Sequence, residues 1–188
     1  MPFVTRVRGT AATLIMIILC TGCTGTGIAT TRTLPASAVA SGAPQLPRAQ
    51  CGGPRPASVD PFPFNRASSE RDRVVGISDT GAYALGGIAH FDRLDASGLA
   101  VLLEEWFIDP DDRQNASPTV WEIFRFLCSH PTVRAAGYVV SPDREDYRTS
   151  IEAIKAPAID AHLRADARAF CTDTDGLELG DSLECFWD

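Results

Sequence analysis

The first 22 residues decide the chemistry in which the rest of the chain folds. Two arginines, Arg6 and Arg8, lead into the apolar run Ala11-Ala-Thr-Leu-Ile-Met-Ile-Ile-Leu19, followed by Cys20-Thr-Gly-Cys23. The run is shorter than the roughly 20 apolar residues that a membrane-spanning helix requires, and its length suits the core of an export signal. Residues 1–22 therefore read as a processing segment, and the chain beyond them folds in an oxidising compartment where cysteines pair. Arg6-Val7-Arg8 is not a twin arginine, so the general secretion route is the expected one.

The end of the apolar run resembles the lipobox of bacterial lipoproteins, in which a small residue precedes a cysteine that is acylated and becomes the mature N-terminus. Gly22 and Cys23 fit this pattern, while Cys20 stands where that family prefers leucine. The resemblance implies lipidation at Cys23 and a cell-membrane location on the extracytoplasmic face, with acyl chains as the membrane contact. The competing reading is a freely secreted chain cut after Ala38 or Ala40 in Ala36-Ser-Ala-Val-Ala40, a small-x-small arrangement lying further beyond the apolar core.

Of 17 basic residues only Lys155 is lysine, and loss of Arg6 and Arg8 leaves 15 against 24 acids, a net charge of about −9. Nucleic acid and anionic lipid both reward clustered Lys and Arg, so an acidic domain is not expected to bind either. Residues 23–70 are rich in Thr, Ala, Gly, Ser and Pro without apolar periodicity. They read as a tether with an r.m.s. span of roughly 35 Å. Two features interrupt it: the aromatics of Pro61-Phe-Pro-Phe64, which either dock on the domain or await a partner, and Cys51, which suggests that the tether's end is stapled down.

Residues 71–188 suffice for one core. Arg73-Val-Val-Gly-Ile77, Ala82-Tyr-Ala-Leu85 and Ile88-Ala-His-Phe91 read as short β segments around the turn former Asp79-Thr-Gly81. Asp95 caps a helix with Leu99, Leu102, Leu103 and Trp106 on one face, stopped by Asp109-Pro110. Ser117 caps the next, with Pro118 in its first turn and Val120, Ile123, Phe124 and Leu127 as its buried stripe, ending at His130-Pro131. Two strands, Gly137–Val140 and Tyr147–Ile154, flank a polar turn. Pro157 opens a helix carrying Ile159, Leu163 and Phe170, and Leu183–Trp187 forms a last strand. The order β-β-α-α-β-β-α-β predicts an α+β domain with a small antiparallel or mixed sheet and about three helices.

Beyond Cys23 the exported chain holds Cys51, Cys128, Cys171 and Cys185, an even number that predicts two disulfides with three possible connectivities. Cys171–Cys185 with Cys51–Cys128 is the favoured pair, because the first closes a short loop between the last helix and the last strand. Zinc is not expected at these cysteines, since no Cys-x-x-Cys or suitably spaced histidine accompanies them.

Asp79-Thr-Gly-Ala82 resembles the active-site tetrapeptide of retroviral-type aspartic proteases, in which two such aspartates share a proton. Only one copy occurs here and Ser78 replaces the usual apolar residue before the aspartate, so a turn between strands is the favoured reading. Asp173-Thr-Asp175 with Glu184 has the alternating carboxylates of a calcium loop, but Glu178 sits where glycine is needed and Leu177 at a ligand position, so a solvated acidic turn is expected. Asp109-Pro-Asp-Asp112 fails similarly at Arg113. His90, in His90-Phe-Asp92, is a weak base candidate; it, His130 and His162 are scattered in sequence. Arg144-Glu-Asp-Tyr-Arg148 mixes charge with an aromatic, as recognition surfaces do and as solvated hairpin tips also do. Asn115–Pro118, Gly137-Tyr-Val-Val-Ser-Pro142 and Tyr147-Arg148 loosely resemble small uncharacterised actinobacterial proteins, a resemblance that carries no activity. The expectation is a lipid-anchored, extracytoplasmic binding module for a protein or small-molecule partner, without cofactor; the alternative is an envelope hydrolase built around Asp79.

Overall fold

The structure, a computed structural model, describes residues 51–187; the signal segment 1–22, Cys23, the cleavage positions Ala38 and Ala40 and the tether up to residue 50 lie outside the described residues. Its elements are α1 (Ser68–Val75), a 3-10 turn (Thr80–Tyr83), β1 (Ile88–Leu94), α2 (Ala96–Glu104), α3 (Val120–Ser129), β2 (Arg134–Val140), β3 (Thr149–Ala156), α4 (Ala161–Phe170), β4 (Gly176–Leu179) and β5 (Leu183–Phe186). The strands form one antiparallel sheet in the order β1-β2-β3-β5-β4, so the domain is α+β.

The sheet has two unlike faces. Ala89, Phe91, Leu94, Ala135, Val139, Ile151, Ile154, Leu183 and Cys185 belong to the main apolar core. The same core takes Val75 of α1, Leu99, Leu102 and Leu103 of α2, Ile123, Phe124 and Leu127 of α3, and Leu163 and Ala167 of α4, so the four helices cover one face. Alternation places His90, Tyr138, Ala136, Ala153, Lys155 and Phe186 on the other. Gly137, where the β2–β3 register shifts, lets these central strands approach: a Cβ there would stand 2.0 Å from the Ser150 carbonyl oxygen. Trp187 closes the end of the sheet, fully buried, its backbone N–H donating to the Glu152 carbonyl at 2.8 Å.

Several local expectations give way to stronger signals. Arg73–Ile77 is not a strand. Its valines end α1, which stops at Gly76 (φ 81°), where Ile77 N–H donates to the Asp72 carbonyl and Gly76 N–H to that of Arg73. Ala82–Leu85 is not a strand either, because Asp79 caps the 3-10 turn through the Gly81 N–H, and Gly86 and Gly87, both at positive φ, turn the chain into β1. Asp95 does cap α2, but the helix ends at Glu104, well before Asp109-Pro110. Trp106 lies beyond it at φ 61°, 38% exposed, while Phe107 and Ile108 fill the core in its place.

In α3 the cap is Thr119 and not Ser117. Its hydroxyl accepts from the Glu122 N–H while the Glu122 carboxylate accepts from the Thr119 N–H, the reciprocal pair that a Ser at 117 could not make with a residue three places on. The expected stripe of Val120, Ile123, Phe124 and Leu127 is buried, joined by Phe126. Asp160 caps α4 through the Leu163 N–H, so Pro157 precedes that helix instead of opening it. β4 is a further strand, and α1 raises the helix count to four.

The cysteines pair as Cys51–Cys128 and Cys171–Cys185, with Cα separations of 5.5 and 6.1 Å. Among the described residues no helix is long and apolar enough to cross a membrane.

Candidate functional site

The residues singled out as catalytic or metal-binding do not assemble. The Asp79 carboxylate accepts from the Gly81 N–H at 2.8 Å, which is the work of a turn cap. It shares a surface cleft with Asp72 and Asp143, but Asp72 is committed to the Arg71 guanidinium at 2.9 Å. His90 is largely exposed on the open sheet face, 3.8 Å from the Glu152 carboxylate and edge-on to Tyr138. Glu184 pairs with Lys155 across the sheet at 2.9 Å, whereas Asp173 occupies a turn at φ 55° and the Asp175 N–H bonds the Phe186 carbonyl. Asp173, Asp175 and Glu184 thus serve a turn and a cross-strand pair.

Two other features meet instead. Residues 51–67, expected as tether, run as a strap over the domain. The strap is fixed by the disulfide at Cys51, an Arg55–Asp111 ion pair, and a hydrogen bond from the Ser58 hydroxyl to Asp109 at 2.7 Å. Further along, Asn65 donates its N–H to the Trp106 carbonyl and its amide to that of Glu105, both at 2.9 Å. These bonds set the aromatic pair down: Phe62 stacks on Trp106 at 5.3 Å, and Phe64 meets the edge of Tyr147 at 6.4 Å.

Tyr147 belongs to the β2–β3 hairpin. Its hydroxyl donates to the Asn65 carbonyl at 2.9 Å, and burial pushes its ionisation upward. Two guanidiniums sit against its ring, Arg66 at 4.7 Å and Arg71 at 4.5 Å. Arg71 is fully buried. It donates to Asp72, to the Val140 carbonyl at 2.9 Å and to the Tyr83 hydroxyl at 2.7 Å, so α1, the 3-10 turn, β2 and the hairpin share one cation.

The strap and the hairpin enclose a cleft of about 530 Å³, with Phe62, Pro63, Phe64 and Arg66 along one wall and Glu145, Asp146, Tyr147 and Arg148 along the other. Arg144 grips the Asp146 carboxylate with two bonds, at 2.8 and 2.9 Å, and holds it well below the usual carboxylate range. Arg148 also reaches Asp146, and donates to the Tyr138 hydroxyl at 2.8 Å. Arg66, by contrast, is exposed and makes no ion pair among the described residues.

The cleft therefore offers aromatic surface, two guanidiniums and two carboxylates on rigid supports, with no Ser, Cys or His among its lining residues. Such a set suits recognition of an extended or aromatic group with an acidic function near Arg66. Phe62, Phe64, Tyr147 and Arg148 all stand out in the sequence as motif members. Arg71 does not, because nothing in Ser-Ser-Glu-Arg-Asp-Arg marks one arginine as buried. No family model matches this chain, and no curated protein or solved structure matches it.

Proposed function

We propose that the chain is a lipid-anchored, extracytoplasmic binding module whose site is the cleft between the strap and the β2–β3 hairpin. One observation carries the reading: Phe62–Phe64, from the stretch whose aromatics either dock on the domain or await a partner, and Glu145–Arg148, from the stretch that suits recognition or a solvated hairpin tip, contribute opposite walls of the same cleft. The two disulfides agree with an oxidising compartment outside the cytoplasm. The aromatic rings supply contact area at low entropic cost and Arg66 supplies an exposed cation, the composition that recognition surfaces favour.

The test is site-specific photocrosslinking in the native envelope, with a benzophenone amino acid at Pro63 and, as control, at Glu178 on β4. A discrete adduct at Pro63 that disappears with Arg66→Glu is expected. Equal adducts at both positions, or none at Pro63, would reject the cleft as the site. Anchoring is tested separately by intact mass: acyl mass on an N-terminus at Cys23, lost in Cys23→Ala, is expected, and an unacylated start near residue 39 or 41 would make the module a secreted one.

A further inference from the structure

The two disulfides differ in reach. Cys171 and Cys185 are 4% and 0% exposed and belong to the main apolar core, whereas Cys51 is exposed and Cys128 is half-buried. Thiol–disulfide exchange needs a thiolate to arrive at one of the two sulfurs, so the surface bridge is open to it and the core bridge is shielded. The helix that carries Cys128 has supports of its own: the Thr119–Glu122 capping box and the buried Val120, Ile123, Phe124 and Leu127. Opening the surface bridge therefore leaves α3 on the core.

The strap has less behind it. Beyond Cys51 its next anchors are the Arg55–Asp111 ion pair, whose side chains are 41% and 52% exposed, and the single bond from Ser58 to Asp109. An ion pair so far in solvent holds little. Firm attachment resumes at Asn65, with its two bonds to the backbone of Glu105 and Trp106. Phe62 and Pro63, which form part of the cleft wall, lie between these points, so they are held firmly from both sides only while the Cys51–Cys128 bridge is closed.

We propose that Cys51–Cys128 is a redox-sensitive clamp on the cleft, opened by a protein dithiol and closed by reoxidation, while Cys171–Cys185 is the structural bridge that stays shut. One thiolate of the donor attacks the Cys51 Sγ; a mixed disulfide forms, the bond to Cys128 breaks, and Cys128 leaves as a thiolate that takes up a proton. The donor's second thiol then displaces Cys51, so two electrons and two protons pass to the bridge and the donor departs as its own disulfide. The consequence for binding rests on the proposed function of the cleft; the selectivity and the loosening of the strap do not.

The test treats oxidised mature protein with dithiothreitol under native conditions, alkylates the thiols formed and locates them by peptide mass. Cys51 and Cys128 should be labelled in at least ten-fold excess over Cys171 and Cys185. Backbone relaxation by NMR should show the order parameters of Arg55, Ala57 and Phe62 falling from about 0.85 to below about 0.6 on reduction, with β2 and β3 unchanged, and Cys51→Ala combined with Cys128→Ala should show the same fall without reductant. Label spread equally over the two bridges, label confined to Cys171 and Cys185, or a strap as rigid in reduced wild type as in oxidised would overturn the clamp. The photo-adduct at Pro63 should weaken at least ten-fold on reduction, and an adduct indifferent to reduction would overturn the control of binding. Its absence from oxidised protein would reject the cleft as the site, with the clamp still decided by labelling and relaxation.

Discussion

Replacing Arg71 by methionine probes the framework of the cleft most directly. Methionine keeps most of the apolar stem and deletes the guanidinium, which is fully buried and bonds the Asp72 carboxylate, the Val140 carbonyl and the Tyr83 hydroxyl while covering the Tyr147 ring. The loss is dominated by what stays behind. Asp72, whose side chain is only 15% exposed, keeps a charge with no counter-ion, and a buried carbonyl and a half-buried hydroxyl lose their donor. Removing one partner of a buried pair costs about 3–5 kcal/mol, far more than the pair's net worth. For a domain of this size that corresponds to a fall in Tm of roughly 10–20 °C.

Urea unfolding followed by tryptophan fluorescence measures the change, since Trp187 is buried in the fold. A double variant separates the stranded charge from the lost bonds. Arg71→Met with Asp72→Asn removes that charge and should recover at least about 1 kcal/mol of the single variant's loss. A single-variant loss under about 1 kcal/mol, or a double variant no more stable than the single, would refute the view of Arg71 as a buried hub.

Gly137→Ala drives a Cβ to 2.0 Å from the Ser150 carbonyl oxygen and 3.0 Å from the Ile151 Cα, so the two central strands must part; a loss of about 3 kcal/mol or more is expected, against less than about 0.5 kcal/mol for Gly180→Ala, which meets nothing within 4 Å. Equal melting curves for the two variants would discard that packing. Cys51 and Cys128 are separated by 77 residues and Cys171 and Cys185 by 14, so paired Cys→Ala replacement should cost about 4.5 and about 3 kcal/mol on the chain-entropy model, a ranking that urea titration can reverse or uphold. Burial raises the ionisation of Asp112 above the ordinary value of about 3.9, although its bond from the Ser150 hydroxyl opposes the shift. The fold therefore favours its protonated form, and the stability this group contributes is full below the unfolded pKa and lost as pH rises through the folded one. Asp112→Asn should gain on wild type as pH climbs from 4 toward 7 and lose that advantage below about 3.9; a gap that ignores pH would count against it.

Local chemistry was legible where one residue settles a boundary. Asp95 announces α2, and the stripe from Val120 to Leu127 announces α3 and the face it buries. The capping box of α3 was equally readable: Glu122 lies three places after Thr119, but Ser117 before Pro118 is the louder signal. α1 was hidden because it buries an arginine and a valine on a surface otherwise polar, so it shows no apolar period while its two valines imitate a strand. β4 was hidden for the opposite reason. At four residues, on the edge and carrying Glu178, it gains its identity only from pairing with β5.

The cleft lies between these extremes, and the strap explains why. Composition marks residues 51–67 as tether, and in isolation Pro, Gly and Ser would make them one. Their order comes from partners 40 to more than 80 positions away: Cys128 at one end, Asp109 and Asp111 in the middle, Glu105, Trp106 and Tyr147 at the other. A segment pinned at both ends and between has little freedom left to lose, so, on the proposed function, a ligand entering beside Phe62 and Phe64 would meet a wall that is already formed and avoid the ordering cost that a free linker would impose. The proposed function predicts that the Cys51–Cys128 bridge contributes to recognition as well as to stability, because cutting it would free the strap's leading end while the domain behind it keeps its own core.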